Sequence, residues 1–267
     1  MSITRSRFRP APVTKPADLT AGALILAGHG STRGGGANPA LQAHADAVRA
    51  RGQFVAVHAA ALYGTPSPRE ALAAAAASGA RHITIAPLFM CDGQFTQTVL
   101  PRAFGLDGRR HPTGPRVRMC DPLGLRPELT ALLLRRASEL AVRAGWTPDA
   151  TEMLLIGHGS TRDPASQRAV DRHAARARAA GVFQTVRTAF LDQAPYLADV
   201  LRARTQPAIA VGLFTAGDLH AGTDIPRLIA AHDGPPIHCV EAIGADPAIP
   251  DLVLAQVAAA RREPAPA

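Results

Sequence analysis

The sequence lacks several features that mark common classes of protein. It has three cysteines, Cys91, Cys120 and Cys239, and none stands in a Cys-x-x-Cys pair. A small and uneven number of cysteines argues against a secreted domain stabilised by disulfides and indicates that the protein resides in a reducing cytoplasm. No run approaches the roughly 20 apolar residues that a membrane-spanning helix needs, so we expect no membrane partner.

Aromatic residues make up only 4% of the 267 residues, although 47% of the chain is hydrophobic. The core therefore has to consist mainly of alanine, leucine, valine and isoleucine. This length suffices for one large domain or for two small ones. Residues 1–20 are basic and proline-rich but contain no apolar signal segment, so we interpret them as a disordered tail.

Lysine is almost absent, since Lys15 is the only one, and the formal charge of +8 comes from arginine. Such a charge favours an anionic partner. The arginines are scattered rather than clustered, so a general bias towards arginine explains the charge equally well. We expect no nucleic-acid partner.

What the sequence does contain is a repeat. Gly-His-Gly-Ser occurs at 28–31 and at 157–160, each time after an apolar run and before Thr-Arg. Further landmarks recur in the same order, with these pairs: Pro66 and Pro195, Leu88 and Leu213, Phe89 and Phe214, Pro101 and Pro226. The chain is therefore an internal duplication.

Each half alternates strand and helix patterns. The first half predicts strands at 23–27, 54–60, 82–88 and 116–120 and helices at 38–51, 66–78, 96–103 and 127–144. The second half predicts strands at 152–156, 183–190, 208–213 and 236–240 and helices at 164–180, 194–204, 223–231 and 247–261. This order predicts an α/β fold of two similar doubly wound parallel-sheet lobes, 21–145 and 151–267, joined by a linker at 146–150.

A histidine flanked by glycines ends the first strand of each half, His29 in one and His158 in the other. Open α/β sheets bind ligands at the carboxyl ends of their strands. A neutral imidazole is both a metal ligand and a proton acceptor. A single Gly-His-Gly is also typical of a turn whose histidine caps a helix, but two copies at equivalent positions favour a functional interpretation.

The halves differ after the third strand, where His220 of the second half aligns with Phe95 of the first. The first and third strands of such a sheet are neighbours, so we expect His158 and His220 to face one crevice. Asp192 ends the second strand where the first half has Tyr63. Its carboxylate either orients a histidine or binds a metal, unless it is a solvated residue near a helix start.

Two histidines and a carboxylate suffice to hold a divalent transition metal with open positions, so His158, His220 and Asp192 are the candidate ligands. The same histidines can take protons from a substrate. A phosphate- or nucleotide-binding protein is a weaker alternative, because the glycines at 34–36 are not followed by Lys-Ser/Thr. We expect the histidines of helical segments to lie on the surface without a role: His44, His173 and His232.

These motifs together resemble the class II chelatases of tetrapyrrole biosynthesis, the CbiX-type sirohydrochlorin cobaltochelatase and ferrochelatase family, in its fused two-lobe form. The resemblance rests on both Gly-His-Gly-Ser turns. It rests also on residues 213–226, which are similar to the family's Pro-Leu-Phe-Leu…Gly-His…Asp-Ile-Pro segment. It covers the chain from about 23 to 261.

The resemblance implies a lyase that inserts Co²⁺ or Fe²⁺ into sirohydrochlorin in cobalamin or siroheme biosynthesis. It implies that His158 and His220 are the catalytic pair, which bind the metal and accept the pyrrole protons. We expect no permanently bound cofactor, because the divalent metal (Co²⁺, Fe²⁺ or Ni²⁺) is a substrate. Sirohydrochlorin carries several carboxylates, which suits a chain of positive charge.

The turns that hold the histidines supply the candidates for substrate binding: His29, Ser31, Arg33, Ser160 and Arg162. The two arginines are candidates to pair with substrate carboxylates. Because both lobes belong to one chain, we expect a monomer. In one respect the chain departs from the family. The resemblance implies a histidine pair in the first lobe, whereas here it lies in the second. Either the site has moved, or the protein is a non-catalytic tetrapyrrole- or metal-binding carrier.

Overall fold

Two parallel four-stranded sheets organise the chain, one in each half. The first has the order β2-β1-β3-β4 and the second the order β6-β5-β7-β8. Their strands are β1 (Gly22–Gly30), β2 (Ala56–Tyr63), β3 (His82–Pro87), β4 (Arg116–Met119), β5 (Glu152–Gly157), β6 (Thr185–Phe190), β7 (Ala208–Gly212) and β8 (Ile237–Val240). This computed structural model describes residues 21–30, 38–106, 114–215, 220–240 and 242–262. The sheets confirm the predicted pair of doubly wound lobes, while the predicted tail at 1–20 lies outside the described residues.

Helices cover both faces of the sheets. They are α1 (Pro39–Arg49), α2 (Pro68–Ala77), α3 (Leu100–Ala103), α4 (Pro127–Arg143), α5 (Ala165–Ala180), α6 (Leu197–Arg202), α7 (Ile225–Ala230) and α8 (Ile249–Arg262). The side chain of Asn38 accepts a hydrogen bond from the backbone of Leu41 and so begins α1. Gly181, with φ of 61°, ends α5. None of the described helices has the length and hydropathy that crossing a bilayer requires.

Two of the predicted helices differ from expectation in the same way. A five-residue π-helix, Phe95–Val99, precedes α3, and another, His220–Asp224, precedes α7. Each short α-helix has a proline in its first turn, Pro101 or Pro226. Because proline has no N–H, the hydrogen-bond pattern of an uninterrupted α-helix cannot run through this point. The repeated π-helix shows that both halves fold alike after their third strand.

The two halves exchange their closing helices. Helix α4 packs against β7, β8 and α5 of the second half, and α8 packs against α1 and β3 of the first. Arg136 of α4 donates to Asp246 at 2.9 Å, while Gln256 of α8 donates to the carbonyl of Pro87 at 3.2 Å. One buried cluster therefore includes residues of both sheets, such as Leu24 and Met153. The lobe division at residue 145 follows the sequence repeat, whereas the core is shared.

Two histidines make equivalent hydrogen bonds across the boundary between the halves. The Nε2 atom of His44 lies 2.9 Å from the carbonyl oxygen of Gly244, and that of His173 lies 2.8 Å from the carbonyl oxygen of Gly124. The predicted surface position is wrong for both, since His44 is 5% exposed and His173 is fully buried. A carbonyl can only accept, so Nε2 carries the hydrogen; Nδ1 of His173 then accepts from the hydroxyl of Thr130 at 2.8 Å.

The buried ring of His173 makes the stability of the fold depend on pH. Burial lowers its pKa from the usual 6.5 to about 4. The unfolded chain takes up this proton at a higher pH than the folded protein, so acid favours unfolding. The contribution is fully present above pH 6.5 and declines as the pH falls towards 4. We expect it to lower the free energy of unfolding by on the order of 3 kcal/mol across that window.

Urea unfolding of the wild type and of His173→Gln at pH 7.5 and pH 4 measures this contribution. The wild type should lose more stability on acidification than the variant, because only the wild type carries the buried titrating ring. His238→Gln, which removes an exposed histidine of β8, serves as the control and should behave as the wild type does. Equal losses in the wild type and in His173→Gln would contradict the prediction.

Candidate functional site

The candidate site lies at the carboxyl ends of the central strands of the second sheet. β5 pairs with β6 on one side and with β7 on the other, so that Gly157 lies beside Phe190 and Ile156 beside Gly212. The three loops that follow these strands therefore leave the sheet at one edge. This confirms that the first and third strands of the lobe are neighbours, as the sequence predicted.

His158 follows β5 directly, and its ring contacts the carboxylate of Asp192 in the loop after β6. The Nδ1 atom lies 3.3 Å from Oδ2 of Asp192 and 3.0 Å from the carbonyl oxygen of Gly159. Both neighbours are acceptors, so in the neutral ring Nδ1 carries the hydrogen and the lone pair is on Nε2. The backbone N–H of Asp192 also donates to the carbonyl of His158 at 2.9 Å. A carboxylate behind a histidine in this way fixes the orientation and the tautomer of the ring.

The turn after His158 requires glycine and rests on a buried glutamine. Gly159 has φ of 78°, and a Cβ there would lie 2.6 Å from Cγ of Gln193 and 2.9 Å from Cβ of Phe190. Gln193 accepts from the backbone N–H of Ser160 at 2.6 Å and donates to Gln167 at 2.9 Å. Gln193 was not predicted from the sequence. Its position directly after Asp192 was the only feature that pointed to a role at the site.

The structure describes only some of the remaining candidate residues on the two histidine turns. Ser160 accepts from the backbone N–H groups of Arg162 and Asp163, both at 3.2 Å, so its hydroxyl holds the turn. Arg162 is exposed. Ser31 and Arg33 lie outside the described residues. Contacts of any of these side chains with a substrate stay a prediction.

His220 is the first residue of the π-helix that follows β7. The structure describes the backbone of His220 but not its side chain. Among the described residues, no group of three or more His, Cys, Asp or Glu side chains is arranged to hold a metal ion. Of the three predicted ligands, the structure thus brings His158 and Asp192 into contact, and the approach of His220 stays a prediction.

At the equivalent point of the first sheet, His29 contacts two exposed aromatic rings, Tyr63 and Phe95, and we name these three residues the ring cluster. The buried ring of Phe89 also lies near His29, at 6.5 Å by ring centroids. The His29 ring centroid lies 5.0 Å from that of Tyr63 and 5.1 Å from that of Phe95. The Tyr63 and Phe95 centroids are 6.3 Å apart, with their planes nearly perpendicular at 89°. Here the first lobe has a phenol in place of the carboxylate and a phenyl ring in place of the second histidine.

A small, partly open pocket with a cavity volume of about 20 Å³ lies beside His29 between the halves. Its walls are mostly apolar and include Leu41, Leu88 and Met90 of the first half and Thr215 of the second. The carboxyl end of β1 therefore faces a space that residues of both halves line.

The turn of the second lobe contacts the segment that carries Phe95. Oδ2 of Asp163 accepts from the backbone N–H of Gln94 at 3.3 Å, and a Cβ at Gly93 would lie 2.7 Å from the same oxygen. Oδ1 of Asp163 accepts from the N–H of Ala165 at 2.9 Å, where α5 begins. The loop of His158 and the π-helix of the ring cluster are therefore held against each other.

Comparison with known proteins identifies relatives that match both halves of the chain. A family model described as CbiX matches residues 23–140 and 152–260. The chain is 29% identical over 268 residues to a probable sirohydrochlorin cobaltochelatase from Halobacterium salinarum, and the match covers 88% of this chain and 90% of that protein.

Solved structures show the same architecture. The structure of CbiX, the terminal enzyme for biosynthesis of siroheme in denitrifying bacteria, matches with a TM-score of 0.70 at 27% identity. That match covers 89% of this chain and 98% of the other. The sirohydrochlorin chelatase SirB from Bacillus subtilis subspecies spizizenii, solved in complex with cobalt, matches with a TM-score of 0.68 over 91% of this chain and 96% of its own. At 22% identity this second likeness concerns the fold.

Proposed function

The chain belongs to the CbiX family, whose model covers both of its halves, and we propose that it inserts a divalent metal, Co²⁺ or Fe²⁺, into sirohydrochlorin or a related anionic tetrapyrrole. The observation that supports this proposal is the contact between His158 and Asp192 at the strand ends of the second sheet. The metal is a substrate of the reaction, and we propose that no cofactor is permanently bound.

The repeat supports the assignment of His220 as the second active histidine. Phe95 opens the π-helix of the first lobe and lies 5.1 Å from His29 by ring centroids. His220 opens the equivalent π-helix, after a strand with the same neighbours. The same backbone path would bring its imidazole to His158, as Phe95 is brought to His29.

The reaction needs groups that bind a cation and accept protons. As M²⁺ enters the macrocycle, two pyrrole N–H bonds break and two protons leave. With its hydrogen on Nδ1, His158 presents the Nε2 lone pair to the incoming metal, and His220 supplies the second imidazole. Once the macrocyclic nitrogens take over the metal, each imidazole is able to accept one of the released protons. Asp192 stabilises the imidazolium that forms on His158.

The positive charge of the chain suits an anionic macrocycle. The formal charge is +8, and it is carried almost entirely by arginine. We propose that Arg33 and Arg162 pair with substrate carboxylates and that Ser31, Ser160 and His29 line the same cleft. We propose further that the protein acts as a monomer, because one chain supplies both lobes, and that it resides in the cytoplasm, because its three cysteines are few and widely spaced.

Incubation of the purified chain with sirohydrochlorin and Co²⁺, Fe²⁺ or Ni²⁺ in turn tests the activity, with the absorption change of the macrocycle as the readout. Imidazole ligands accept all three metals, so the comparison of rates identifies the preferred one. Insertion faster than the spontaneous rate supports the chelatase. Tight binding of the macrocycle with no acceleration by any metal would instead indicate a carrier.

Asp192→Asn should lower the rate of insertion about 10- to 100-fold, because the amide keeps the shape but not the charge that orients and supports His158. Asp192→Glu retains the charge and should restore most of the rate. Steady-state insertion assays with the metal and the macrocycle varied separately check this. In the Asn variant kcat should fall and KM for the metal should rise, whereas KM for the macrocycle should change little. An Asn variant as active as the wild type would remove Asp192 from the mechanism.

A further inference from the structure

We propose that the ring cluster of the first lobe is a binding surface for the conjugated macrocycle, formed where the second lobe has its metal-handling groups. This inference rests on the proposed function, because it names which part of the protein holds the tetrapyrrole while His158 and His220 handle the metal. The two lobes then have different roles, since the first binds the ring system and the second binds the ion.

The exposure of the cluster is the first argument. Tyr63 is 40% and Phe95 is 41% exposed, in a chain with only 4% aromatic residues. Large exposed hydrophobic side chains among the described residues are few, and these two contact the same histidine. Grouped apolar side chains at the surface mark binding sites, whereas single ones carry no such meaning.

The chemistry of the cluster is the second argument. A phenyl ring has no lone pair for a metal, and His29 and the phenol of Tyr63 are fewer than the three protein ligands of a typical open metal site. The Nδ1 atom of His29 lies 3.2 Å from the carbonyl oxygen of Gly30. What Tyr63 and Phe95 offer instead are π faces and edges. A flat conjugated macrocycle packs against such rings in offset or edge-to-face geometry.

The position of the cluster is the third argument. It lies at the strand ends that correspond to those of His158 and Asp192. The hydrogen bond between Gln94 and Asp163 joins the segment of Phe95 to the turn of His158. A macrocycle resting on the ring cluster would thus lie beside the turn that presents the metal-binding histidine.

Titration of metal-free sirohydrochlorin into the protein, followed by fluorescence or absorption, measures the contribution of the cluster directly. Phe95→Ala and Tyr63→Ala should each weaken macrocycle binding about 5- to 10-fold. Phe95→Tyr keeps the ring and should bind as the wild type does. Val142→Ala, which trims an exposed apolar side chain on α4, is the matched control and should change nothing. A Co²⁺ titration without macrocycle should give the same affinity in all variants.

The outcomes separate this inference from the proposed function. A wild type that inserts metal, together with a Phe95→Ala variant of unchanged macrocycle affinity, would overturn the inference and leave the function standing. Weaker Co²⁺ binding in Phe95→Ala would also overturn it, because the cluster would then belong to the metal site. A wild type that neither binds sirohydrochlorin nor inserts metal would end both.

Discussion

Alanine in place of either His158 or His220 is expected to lower the rate of metal insertion about a thousandfold, because each change removes a metal ligand and a proton acceptor together. The residual rate should approach that of free metal and sirohydrochlorin in buffer. Macrocycle binding should persist in both variants, since the ring cluster and the arginines are intact. Single-turnover absorption assays at saturating macrocycle measure the effect.

Two controls keep this result specific. His238→Ala removes an exposed histidine whose ring lies 4.9 Å from that of Trp146, and it should insert metal at the wild-type rate. Circular dichroism of His158→Ala and His220→Ala should match the wild type, because both residues lie in loop or helix-start positions at the sheet edge. Full activity of His158→Ala combined with an inactive His29→Ala would move the site to the first lobe.

Gly124→Ala is expected to destabilise the fold by about 3 kcal/mol or more, the largest effect on stability that we predict. A Cβ at this glycine would overlap the backbone carbonyl of Met90, and a backbone atom cannot turn aside as a side chain can. The same residue donates to the carbonyl of Phe89 at 2.9 Å and accepts from His173 at 2.8 Å. The substitution therefore disrupts a close backbone contact within the first half, at the residue that also accepts the hydrogen bond from His173 of the second half.

Urea unfolding compared with that of Gly79→Ala isolates the steric cause. Gly79 has φ of 78°, and a Cβ added to it would meet no atom within 4 Å, so its substitution costs only backbone strain. That strain amounts to about 1–2 kcal/mol. Gly124→Ala should be clearly less stable than Gly79→Ala. Equal stabilities would mean that the tight approach to Met90 is not maintained in solution.

Much of the fold follows from local patterns in the sequence. Short apolar runs predicted the strands, and the repeated Gly-His-Gly-Ser turn after the first strand of each half predicted two equivalent sheets. Parallel topology then placed the loops of His158 and Asp192 at one edge, where their side chains do meet. This part was predictable because strand patterns and crossover rules act between elements that are close in the chain.

Contacts between the halves were not predictable in the same way. His44 lies three residues after Leu41, and His173 three after Val170, so both share the apolar face of their helix. That spacing was the signal for burial, but the carbonyls that they meet come from the other half. Helical periodicity shows that α4 packs on a sheet and does not show which sheet.

The ring cluster illustrates a different limit. Alignment of the halves identified Phe95 and Tyr63 as the replacements for His220 and Asp192. It did not show that both rings would contact His29, because a ring–ring contact depends on the path of two loops. The π-helix that begins at Phe95 has no periodicity that a sequence pattern of apolar residues would reveal.

The most direct test of the account is a crystal of the protein soaked with Co²⁺, with the metal located by anomalous diffraction at the cobalt edge. We predict one strong peak in the second lobe, within bonding distance of Nε2 of His158 and of the imidazole of His220. A cobalt ion beside His29 in the first lobe, or imidazoles of His158 and His220 that point apart, would contradict it.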